Sequence, residues 1–440
     1  MTNQTDRVLT GWGRTAPSRA HVTGPLATSQ LQELIAAQPA RGVLARGAGR
    51  SYGDAAQNAG GIVLDPVTRP RIDLDTDTPS VWVSAATTFT QLLEHIVPHG
   101  LLLPVLPGTR HITVGGAIAA DVHGKNQHTE GTISAWIDEI ELIDGDGKLH
   151  NLTPGGPEFR ATVGGMGLTG VILAARLRLL RIGSTRLRVT ARRLPDLDAL
   201  LAAMDSATER YTVAWIDTSA RRRSFGRGIL DVGDHVTGPD RERLAYRHGR
   251  PKQPPASPFC PFTPMTARAF NGLWYRAAPA ERTGSVGLAA YFHRLDAVSG
   301  WNRALGPRGF IQYQFAVPDG AHNMIAEVLT ALRRHRAAPF LGTLKRFGAA
   351  SGNYLSFPGP GWSLAVDMPA GRPGLRAVLD DLDRRVADAG GRVYLAKDVR
   401  LRPEAFAAMY GQLGDWRTVR ERLDPRGVFA SDLGRRLGLC

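Results

Sequence analysis

Two glycine-rich segments, residues 46–54 and 108–119, constrain the fold of this chain more than any other feature of its sequence. The first reads Arg46-Gly-Ala-Gly-Arg-Ser-Tyr-Gly-Asp54 and follows a predicted buried strand, whereas the second places Gly115-Gly116 at the start of a helix of small residues. Glycine lets backbone amides approach an anion without Cβ clashes, and a helix N-terminus adds free amides and its dipole. A tight turn explains either segment alone, but the two together indicate a phosphate-bearing ligand.

A literal G-x-G-x-x-G occurs at Gly165, Gly167 and Gly170. A dinucleotide-binding Rossmann unit requires a helix directly after this motif and an acidic residue about 20 positions further on. Here the residues from Val171 to Leu180 predict a strand, and no acidic residue lies between Val171 and Leu194. The sequence therefore excludes a nicotinamide site of that kind.

The composition is typical of a loop-rich enzyme with a large core, since 43% of the 440 residues are hydrophobic, enough for two or three domains. The two cysteines, Cys260 and Cys440, form neither a disulfide framework nor a zinc pattern, and no metal site is predicted. No apolar run has the length of a transmembrane helix. The polar residues 1–14 lack the apolar core of a secretory signal, which favours the cytoplasm.

The net charge of +14 predicts attraction to an anionic partner, which could be nucleic acid, a lipid surface or a phosphorylated substrate. A solvated basic surface without a partner explains the charge equally well. No nucleic-acid-binding motif accompanies the charge, so we expect no nucleic-acid partner.

The texture of the chain changes near residue 187. Strands are predicted at Tyr211–Ile216, Phe310–Val317 and Arg392–Ala396, and an amphipathic helix at Leu375–Ala389. Residues 239–264 are rich in arginine and then in proline, which predicts a long mobile surface loop near the mouth of the substrate site.

Several motifs together resemble one family. They are Arg46-Gly-Ala-Gly-Arg-Ser-Tyr-Gly-Asp54, Thr113-Val-Gly-Gly-Ala-Ile118, Asp121-Val-His-Gly-Lys-Asn126 and Ala161-Thr-Val-Gly-Gly-Met-Gly-Leu-Thr-Gly170. The chain resembles the vanillyl-alcohol-oxidase (VAO/PCMH) family of FAD-binding proteins. Further motifs, including Gly11-Trp-Gly-Arg-Thr-Ala-Pro17 and Phe429-Ala-Ser-Asp432, are similar to the branch of that family that oxidises a polyprenylphosphoryl ribose.

The resemblance implies an α+β fold in which residues 1–185 and 392–440 form a two-part FAD-binding domain. Residues 186–391 would form a substrate domain with an antiparallel sheet and helices. The implied reaction is FAD-dependent oxidation of the 2'-hydroxyl of decaprenylphosphoryl-β-D-ribose to a ketone. A partner short-chain reductase would then complete epimerisation to the arabinose donor for cell-wall arabinan. A lipid substrate implies peripheral membrane contact, on the cytoplasmic or the periplasmic face.

The first glycine-rich segment also predicts how the flavin is held. Many members of the family carry a histidine in this loop that bonds covalently to the flavin. This chain has Arg50-Ser51-Tyr52 there, with no histidine or cysteine in the loop. We therefore expect non-covalent FAD.

The resemblance carries over to named positions. The residues implied for FAD binding are Arg46, Gly47, Gly49, Arg50, Ser51, Tyr52, Gly53, Gly108, Thr109, Thr113, Gly115, Gly116, Ala117, His123, Gly124, Lys125, Asn126, Gly170, Val171, Ile172 and Tyr394. Those implied for substrate binding are Trp215, Phe292, Gln312, Gln314, Lys345, Phe347, Ser363, Ala365 and Lys397. Ser363 and Ala365 stand where several relatives carry asparagine and cysteine, so this chain has no thiol at that point for an electrophilic inhibitor.

Three residues are catalytic candidates. Lys397 follows a predicted strand and would be an ordinary surface lysine but for the resemblance, which implies that it reaches flavin and substrate. His123 and Tyr394 are the other two, although a lone histidine in such a loop is more often structural. Gln312 and Gln314 lie on one side of a strand, where a sugar, a flavin edge or a cross-strand hydrogen bond would satisfy them.

Two other functions stay open at this point. One is an alditol or aldonolactone oxidase of the same fold acting on soluble polyols. The other is a non-catalytic basic module that binds lipid or nucleic acid, which would not carry a flavin.

Overall fold

A computed structural model of the protein describes residues 5–238 and 244–440. Within these ranges the chain is α+β, as predicted, with helices packed on sheets that are mostly antiparallel. The first strands, numbered along the chain, are β1 (Thr5–Leu9), β2 (Ser18–Thr23), β3 (Val43–Ala45), β4 (Ile62–Leu64), β5 (Ile72–Asp75), β6 (Ser80–Ser84), β7 (Leu101–Leu102), β8 (Ile137–Ile143), β9 (Leu149–Leu152), β10 (Val171–Arg178) and β11 (Leu180–Arg181). The later strands are β12 (Arg186–Leu194), β13 (Tyr211–Ile216), β14 (Gly228–His235), β15 (Glu281–Gly287), β16 (Phe310–Val317), β17 (Leu341–Phe347), β18 (Gly361–Pro369) and β19 (Arg392–Val393).

The helices lie between and after these strands. They are α1 (Thr28–Ala36), α2 (Phe89–Ile96), α3 (Val114–Ala119), α4 (Gln127–Glu130), α5 (Pro157–Thr162), α6 (Leu197–Asp205), α7 (Pro264–Ala277), α8 (Leu288–Phe292), α9 (Asn323–Arg334), α10 (Leu375–Asp388), α11 (Pro403–Met409), α12 (Leu413–Leu423) and α13 (Asp432–Leu437). None of the helices in the described ranges combines the length and the hydropathy that a bilayer crossing requires.

The strands before residue 182 form three sheets, with orders β1-β2-β4-β3, β5-β6-β10-β8-β9 and β7-β11. The turn at residues 144–147 joins β8 and β9 as an antiparallel hairpin, which its two Asp-Gly pairs predict. The strand β10 directly follows Gly170, so the rejection of a Rossmann unit is confirmed. The helix α1 follows Ala27, whose amide donates to the side-chain oxygen of Gln30.

The strands from Arg186 onward form one eight-stranded sheet with the order β15-β12-β14-β13-β17-β18-β16-β19. The predicted strands at Tyr211–Ile216 and Phe310–Val317 are confirmed residue for residue, and the predicted helix at 375–389 ends one residue earlier. The edge strand β19 is two residues long where a strand to Ala396 was predicted, because the chain turns at residues 394–397 with the amide of Lys397 donating to the carbonyl of Tyr394.

The C-terminal residues return to the N-terminal sheets. Val43 pairs with Phe429, and the amide of Val43 donates to the carbonyl of Val428. The guanidinium of Arg436 in α13 donates to both carboxylate oxygens of Asp54, at 2.7 and 2.9 Å. These contacts tie the end of the chain to the N-terminal sheet and to the last residue of the first glycine-rich segment.

The predicted loop at 239–264 lies partly outside the described residues, which omit 239–243. Residues 244–263 contain no helix and no strand, as the prolines predict, and α7 then begins at Pro264. The segment is tied to the rest of the chain where the hydroxyl of Tyr246 lies 2.6 Å from Nδ1 of His293 and the amide of Lys252 donates to the carbonyl of Ala297.

Candidate active site

The two glycine-rich loops meet. A Cβ on Gly47 would lie 2.3 Å from the hydroxyl of Thr113, which is closer than two such atoms approach. Thr113 in turn caps α3 by accepting a hydrogen bond from the amide of Gly116. Glycine at 47 is therefore required for the loop to pack against the start of that helix, and the two glycine-rich segments are in contact.

The first loop presents free backbone donors. The amides of five consecutive residues, Gly47 to Ser51, donate to no protein atom in the described part of the chain. Gly49 has a left-handed backbone, with φ of 61°. Successive amides in such a turn form a concavity that binds anions, and a diphosphate would satisfy them. In the second loop, a Cβ on Gly108 would meet nothing within 4 Å, so the backbone faces open space there. These features fit the diphosphate of FAD.

The two arginines of the first loop fix the loop itself. The guanidinium of Arg46 donates to the backbone carbonyls of Ala56 and Thr10. The guanidinium of Arg50 stacks on the ring of Trp12, with 4.1 Å between its carbon and the ring centre. Both side chains therefore shape the loop, and the free amides are its stronger feature for binding an anion.

The other residues predicted to bind FAD surround these loops. Thr109 donates its hydroxyl to Asp296, whose second oxygen accepts the amide of Arg110, so an aspartate that the sequence analysis missed holds the second loop. Four of the predicted glycines pack closely against other backbone or side-chain atoms: Gly53 against Asp398, Gly115 against Ala85, Gly124 against Leu106 and Gly170 against Ile143. The predicted residues Ala117, Val171 and Ile172 are buried.

Asn126 and Lys125 point in different directions from one short segment. The side chain of Asn126 is fully buried and donates to the carbonyl of Pro104, while its own oxygen has no partner among the described residues. Lys125 donates to the carbonyl of Tyr291 at 2.6 Å and lies 6.0 Å from the ring centre of Phe292. Burial, followed by the nearby Arg294, lowers the pKa of Lys125 to about 7.

One face of the eight-stranded sheet collects most of the predicted substrate residues. In its register Trp215 lies opposite Thr343, which lies opposite Ala365, which lies opposite Gln314. Two further cross-strand pairs are Lys345 with Ser363 and Gln312 with Asp367. Cross-strand partners in an antiparallel sheet, and residues two apart in one strand, point to the same side. The face therefore carries two glutamines, a lysine and an aspartate.

His123 closes this face from the side of the glycine-rich loops. Its Nε2 lies 3.2 Å from the amide nitrogen of Gln314, and its ring packs against Phe347 and Tyr394 with centres 4.9 and 5.3 Å away. Burial, followed by the charges of Lys345 and Lys397, lowers the pKa of His123 well below its usual range. With Gln314 donating to Nε2, the proton of the neutral ring is on Nδ1, which has no partner in residues 5–238 and 244–440. His123 is therefore a hydrogen-bond donor at Nδ1.

Tyr394 is part of the wall. Its hydroxyl donates to the carbonyl of Ala120 at 2.8 Å, and its ring stacks on Phe357 with centres 4.7 Å apart. Burial raises the pKa of Tyr394 above its usual value. A phenol that is already bonded and hard to ionise is suited to positioning His123 and a poor acceptor for a proton.

Lys397 lies beside the first loop. Its ammonium nitrogen is 3.6 Å from the ring centre of Tyr52, whose amide donates to the carbonyl of Ala396. Burial lowers the pKa of Lys397 to about 7, although Asp367 acts in the opposite direction. Burial also raises the pKa of Asp367 to about 7, against the opposing effects of Gln312 and Lys397. The two groups thus form an electrostatically linked acid and base on the same face.

Asp367, like Asp296, is a residue of the site that the sequence analysis missed. Its signal was present: Ser363, Ala365 and Asp367 alternate along one strand, and the first two were already assigned to the substrate face. The described residues include no cluster of three or more His, Cys, Asp or Glu that could hold a metal ion.

The chain matches known families and proteins over most of its length. Residues 20–153 match the FAD binding domain family, and residues 370–437 match the D-arabinono-1,4-lactone oxidase family. The chain is 39% identical to decaprenylphosphoryl-beta-D-ribose oxidase of Mycolicibacterium smegmatis over 99% of this chain and 98% of the relative. It is 40% identical to an uncharacterised protein of Streptomyces coelicolor over 80% of this chain and 100% of that protein. An alditol oxidase of a Streptomyces species is 26% identical over 98% of both chains.

Proposed function

Because this chain belongs to the decaprenylphosphoryl-beta-D-ribose oxidase family of FAD-dependent oxidoreductases, we propose that it oxidises the 2'-hydroxyl of decaprenylphosphoryl-β-D-ribose to the 2'-keto sugar. The observation that carries the proposal is the sheet face bearing Gln312, Gln314 and Asp367. His123 contacts this face through Gln314, and Lys397 lies over Tyr52, the residue that directly follows the five free amides of the first loop. A sugar hydroxyl and a flavin are the partners that such a polar, enclosed face suits.

FAD, when bound, supplies the redox chemistry by accepting the hydride from the carbinol carbon. The residues of the chain provide orientation, charge and proton transfer. The Lys397 ammonium stabilises negative charge on the sugar oxygen as its proton leaves. The Asp367 carboxylate, whose raised pKa of about 7 makes it basic, accepts that proton. His123 donates from Nδ1 and, with Gln314, orients the sugar ring.

Two further lysines suit the phosphate of the substrate. Burial lowers the pKa of Lys345 to about 8, and Lys125 is affected in the same way. An anionic phosphate near either group would restore its charge and offset the cost of burying it. Trp215, Phe292 and Phe347 supply the apolar and aromatic part of the surface around them. Lys345 and Lys125 are therefore the groups that we assign to the phosphodiester.

The cellular context is part of the same proposal. A substrate with a long prenyl chain is held in a membrane, so the enzyme makes peripheral contact with a membrane surface on the cytoplasmic or periplasmic side. A short-chain reductase then reduces the ketone from the opposite face of the sugar, which completes epimerisation to the arabinose donor for cell-wall arabinan. The net charge of +14 supports contact with anionic lipid.

Flavin bleaching tests the reaction. The purified holoprotein is mixed anaerobically with the ribose lipid, with a short-chain analogue of it, and with soluble alditols and aldonolactones, while the flavin absorbance is followed. We expect rapid bleaching by the two phosphoryl riboses and slow bleaching by the polyols. The match of residues 370–437 to the lactone oxidase family makes a soluble sugar lactone the second candidate substrate. Faster bleaching by a lactone or an alditol than by the ribose lipid would establish that alternative.

A further inference from the structure

The helix α7 turns its apolar side outward. Its large apolar residues are exposed, at 78% for Met265, 43% for Phe270, 66% for Leu273 and 52% for Trp274. The side that faces the protein carries small and polar residues, among them Ala267 and Asn271. A surface helix of a soluble protein normally has the reverse arrangement, with its apolar stripe toward the core. We call the four exposed residues the α7 face.

This face is presented by a fixed helix. Thr263 caps the helix and accepts the amide of Thr266, and Pro264 occupies its first turn. On the inner side, the hydroxyl of Tyr275 donates to the carbonyl of Leu194 at 3.1 Å, and the guanidinium of Arg227 lies 4.2 Å from the centre of the same ring. The orientation of the α7 face is therefore set by specific polar contacts on the opposite side of the helix.

The surroundings of the α7 face are basic. Residues 244–280 contain five lysines and arginines and no aspartate or glutamate. Two of these arginines are exposed on the helix itself, and three more follow one another in the turn between β13 and β14, which contacts α7 through Thr218 and Arg227. The two helix arginines and the three in the turn form no salt bridge in the described part of the chain, since no carboxylate there lies within 4.0 Å of them. They are Arg221, Arg222, Arg223, Arg268 and Arg276.

The α7 face also connects to the candidate active site. A series of ring contacts runs inward from it, with centres 4.4 to 6.3 Å apart, through Trp274, Phe270, Phe262, Phe340, Phe310 and Tyr52. Tyr52 is the ring beneath the ammonium of Lys397. The α7 face is thus connected to the candidate active site by one continuous path of aromatic contacts.

We propose that the α7 face docks on the surface of an anionic phospholipid bilayer, with Leu273 and Trp274 at the boundary of headgroups and acyl chains and the unpaired arginines against lipid phosphates. Exposed leucine and tryptophan favour this boundary, and arginines add attraction to anionic lipid. The charge complementarity selects a membrane as the occupant over an uncharged apolar protein surface. The proposal rests on the proposed function only in naming the bilayer as the source of the substrate.

Vesicle flotation tests the docking. The holoprotein is mixed with vesicles of phosphatidylcholine alone or of phosphatidylcholine with phosphatidylglycerol, at low and high salt. The test variant is Leu273→Gln with Trp274→Gln, and its matched control is Leu149→Gln, since Leu149 is 52% exposed on a strand elsewhere. We expect the parent and the control to float with anionic vesicles and the test variant to bind them at least about tenfold more weakly. Arg268→Gln and Arg276→Gln should each weaken binding to anionic vesicles roughly fivefold, because each removes one positive charge.

A second measurement separates docking from catalysis. Flavin bleaching by a short-chain, water-soluble phosphoryl ribose should be the same in the parent and in the Leu273→Gln, Trp274→Gln variant, whereas bleaching by vesicle-bound ribose lipid should be slower in the variant. Equal vesicle binding by parent and variant, or equal loss in the Leu149→Gln control, would overturn the proposal. So would equal binding to neutral and anionic vesicles, or a parent dimer that the variant converts to a monomer, since the face would then join two copies of the chain. Absence of bleaching by any phosphoryl ribose would instead contradict the proposed function.

Discussion

The side-chain amide of Gln312 donates to both carboxylate oxygens of Asp367, at 2.9 and 3.0 Å. These hydrogen bonds hold the buried carboxylate in place and lower its pKa, but burial is the larger effect and leaves the pKa of Asp367 raised to about 7. Lys397 contributes the opposing charge from beside Tyr52. The carboxylate of Asp367 and the ammonium of Lys397 are thus held by different neighbours, and the charge of each affects the pKa of the other.

Replacing Asp367 by asparagine should slow flavin reduction and change its pH dependence. In the parent, the rate should fall below pH 7 as the Asp367 carboxylate gains a proton and above pH 7 as Lys397 loses one, because both pKa values lie near 7. Asp367→Asn should lose the acid limb and about 10²–10⁴ in rate. Asp381→Asn, at an exposed position on α10, should keep the parental profile. Anaerobic stopped-flow reduction across pH 5–9 checks this, and an acid limb that persists in Asp367→Asn would remove the proton acceptor from our scheme.

Lys397→Ala should preserve folding and slow turnover. In the proposed reaction the Lys397 ammonium stabilises the negative charge that develops on the sugar oxygen, which contributes roughly 10²–10³ to the rate. Lys397→Arg keeps a positive charge at all accessible pH values, so we expect partial activity without the alkaline limb of the profile. Thermal unfolding and single-turnover flavin reduction provide the two readouts. A reduction rate within about threefold of the parent in Lys397→Ala would show that the assigned role is wrong.

Gly108→Ala should weaken FAD binding without destabilising the apoprotein. A Cβ at this position meets no protein atom within 4 Å, so the substitution fits the protein but occupies space beside the second loop. Gly24→Ala is the matched control, since a Cβ there also meets nothing within 4 Å. The FAD dissociation constant should rise about tenfold or more in the first variant only, as measured by fluorescence titration of the apoproteins. Equal affinities would place the cofactor elsewhere.

The flavin should be released on denaturation. The loop at 46–54 contains no histidine or cysteine that could bond to it, and the structure holds this loop through backbone contacts such as the amide of Trp12 donating to Ser51. After acid precipitation the yellow colour should stay in the supernatant. A pellet that retains flavin, or a chain mass increased by that of FAD, would show a covalent link.

Acid should destabilise the fold through buried neutral histidines. Burial, followed by Arg110, lowers the pKa of His293 to about 3, so between pH 6.5 and pH 4 the unfolded chain binds a proton that the folded chain does not. Stability contributed by this group is present above pH 6.5 and is lost as the pH falls, by roughly 1–3 kcal/mol at pH 4. His293→Asn should reduce the slope of unfolding free energy against pH in urea titrations. His322→Asn, at an exposed site, should leave the slope unchanged.

The sequence alone determined the local features of the molecule. Glycines at 47 and 49 permit backbone conformations that other residues avoid, such as the left-handed one at Gly49, and on that ground alone they predicted a loop whose amides can approach an anion. The alternation in β16 placed Gln312 and Gln314 on one side for the same reason, because side-chain direction in a strand follows from backbone geometry alone. The charge pattern and the prolines of residues 244–263 are likewise local features, because proline restricts its own backbone and that of the residue before it.

Only the tertiary structure decided which of these features meet. Asp367 joins the site because β18 pairs with β16 in a register that sets it opposite Gln312, and no local pattern specifies that register. The pKa of Lys397 depends on its burial against residues far away in sequence, such as Tyr52. The outward apolar side of α7 could not be predicted from the sequence for a similar reason. Helix periodicity shows that an apolar face exists, but contacts such as that of Tyr275 with Leu194 decide which face is exposed to solvent. Burial and charge coupling are sums over distant atoms, and the order of residues along the chain does not contain them.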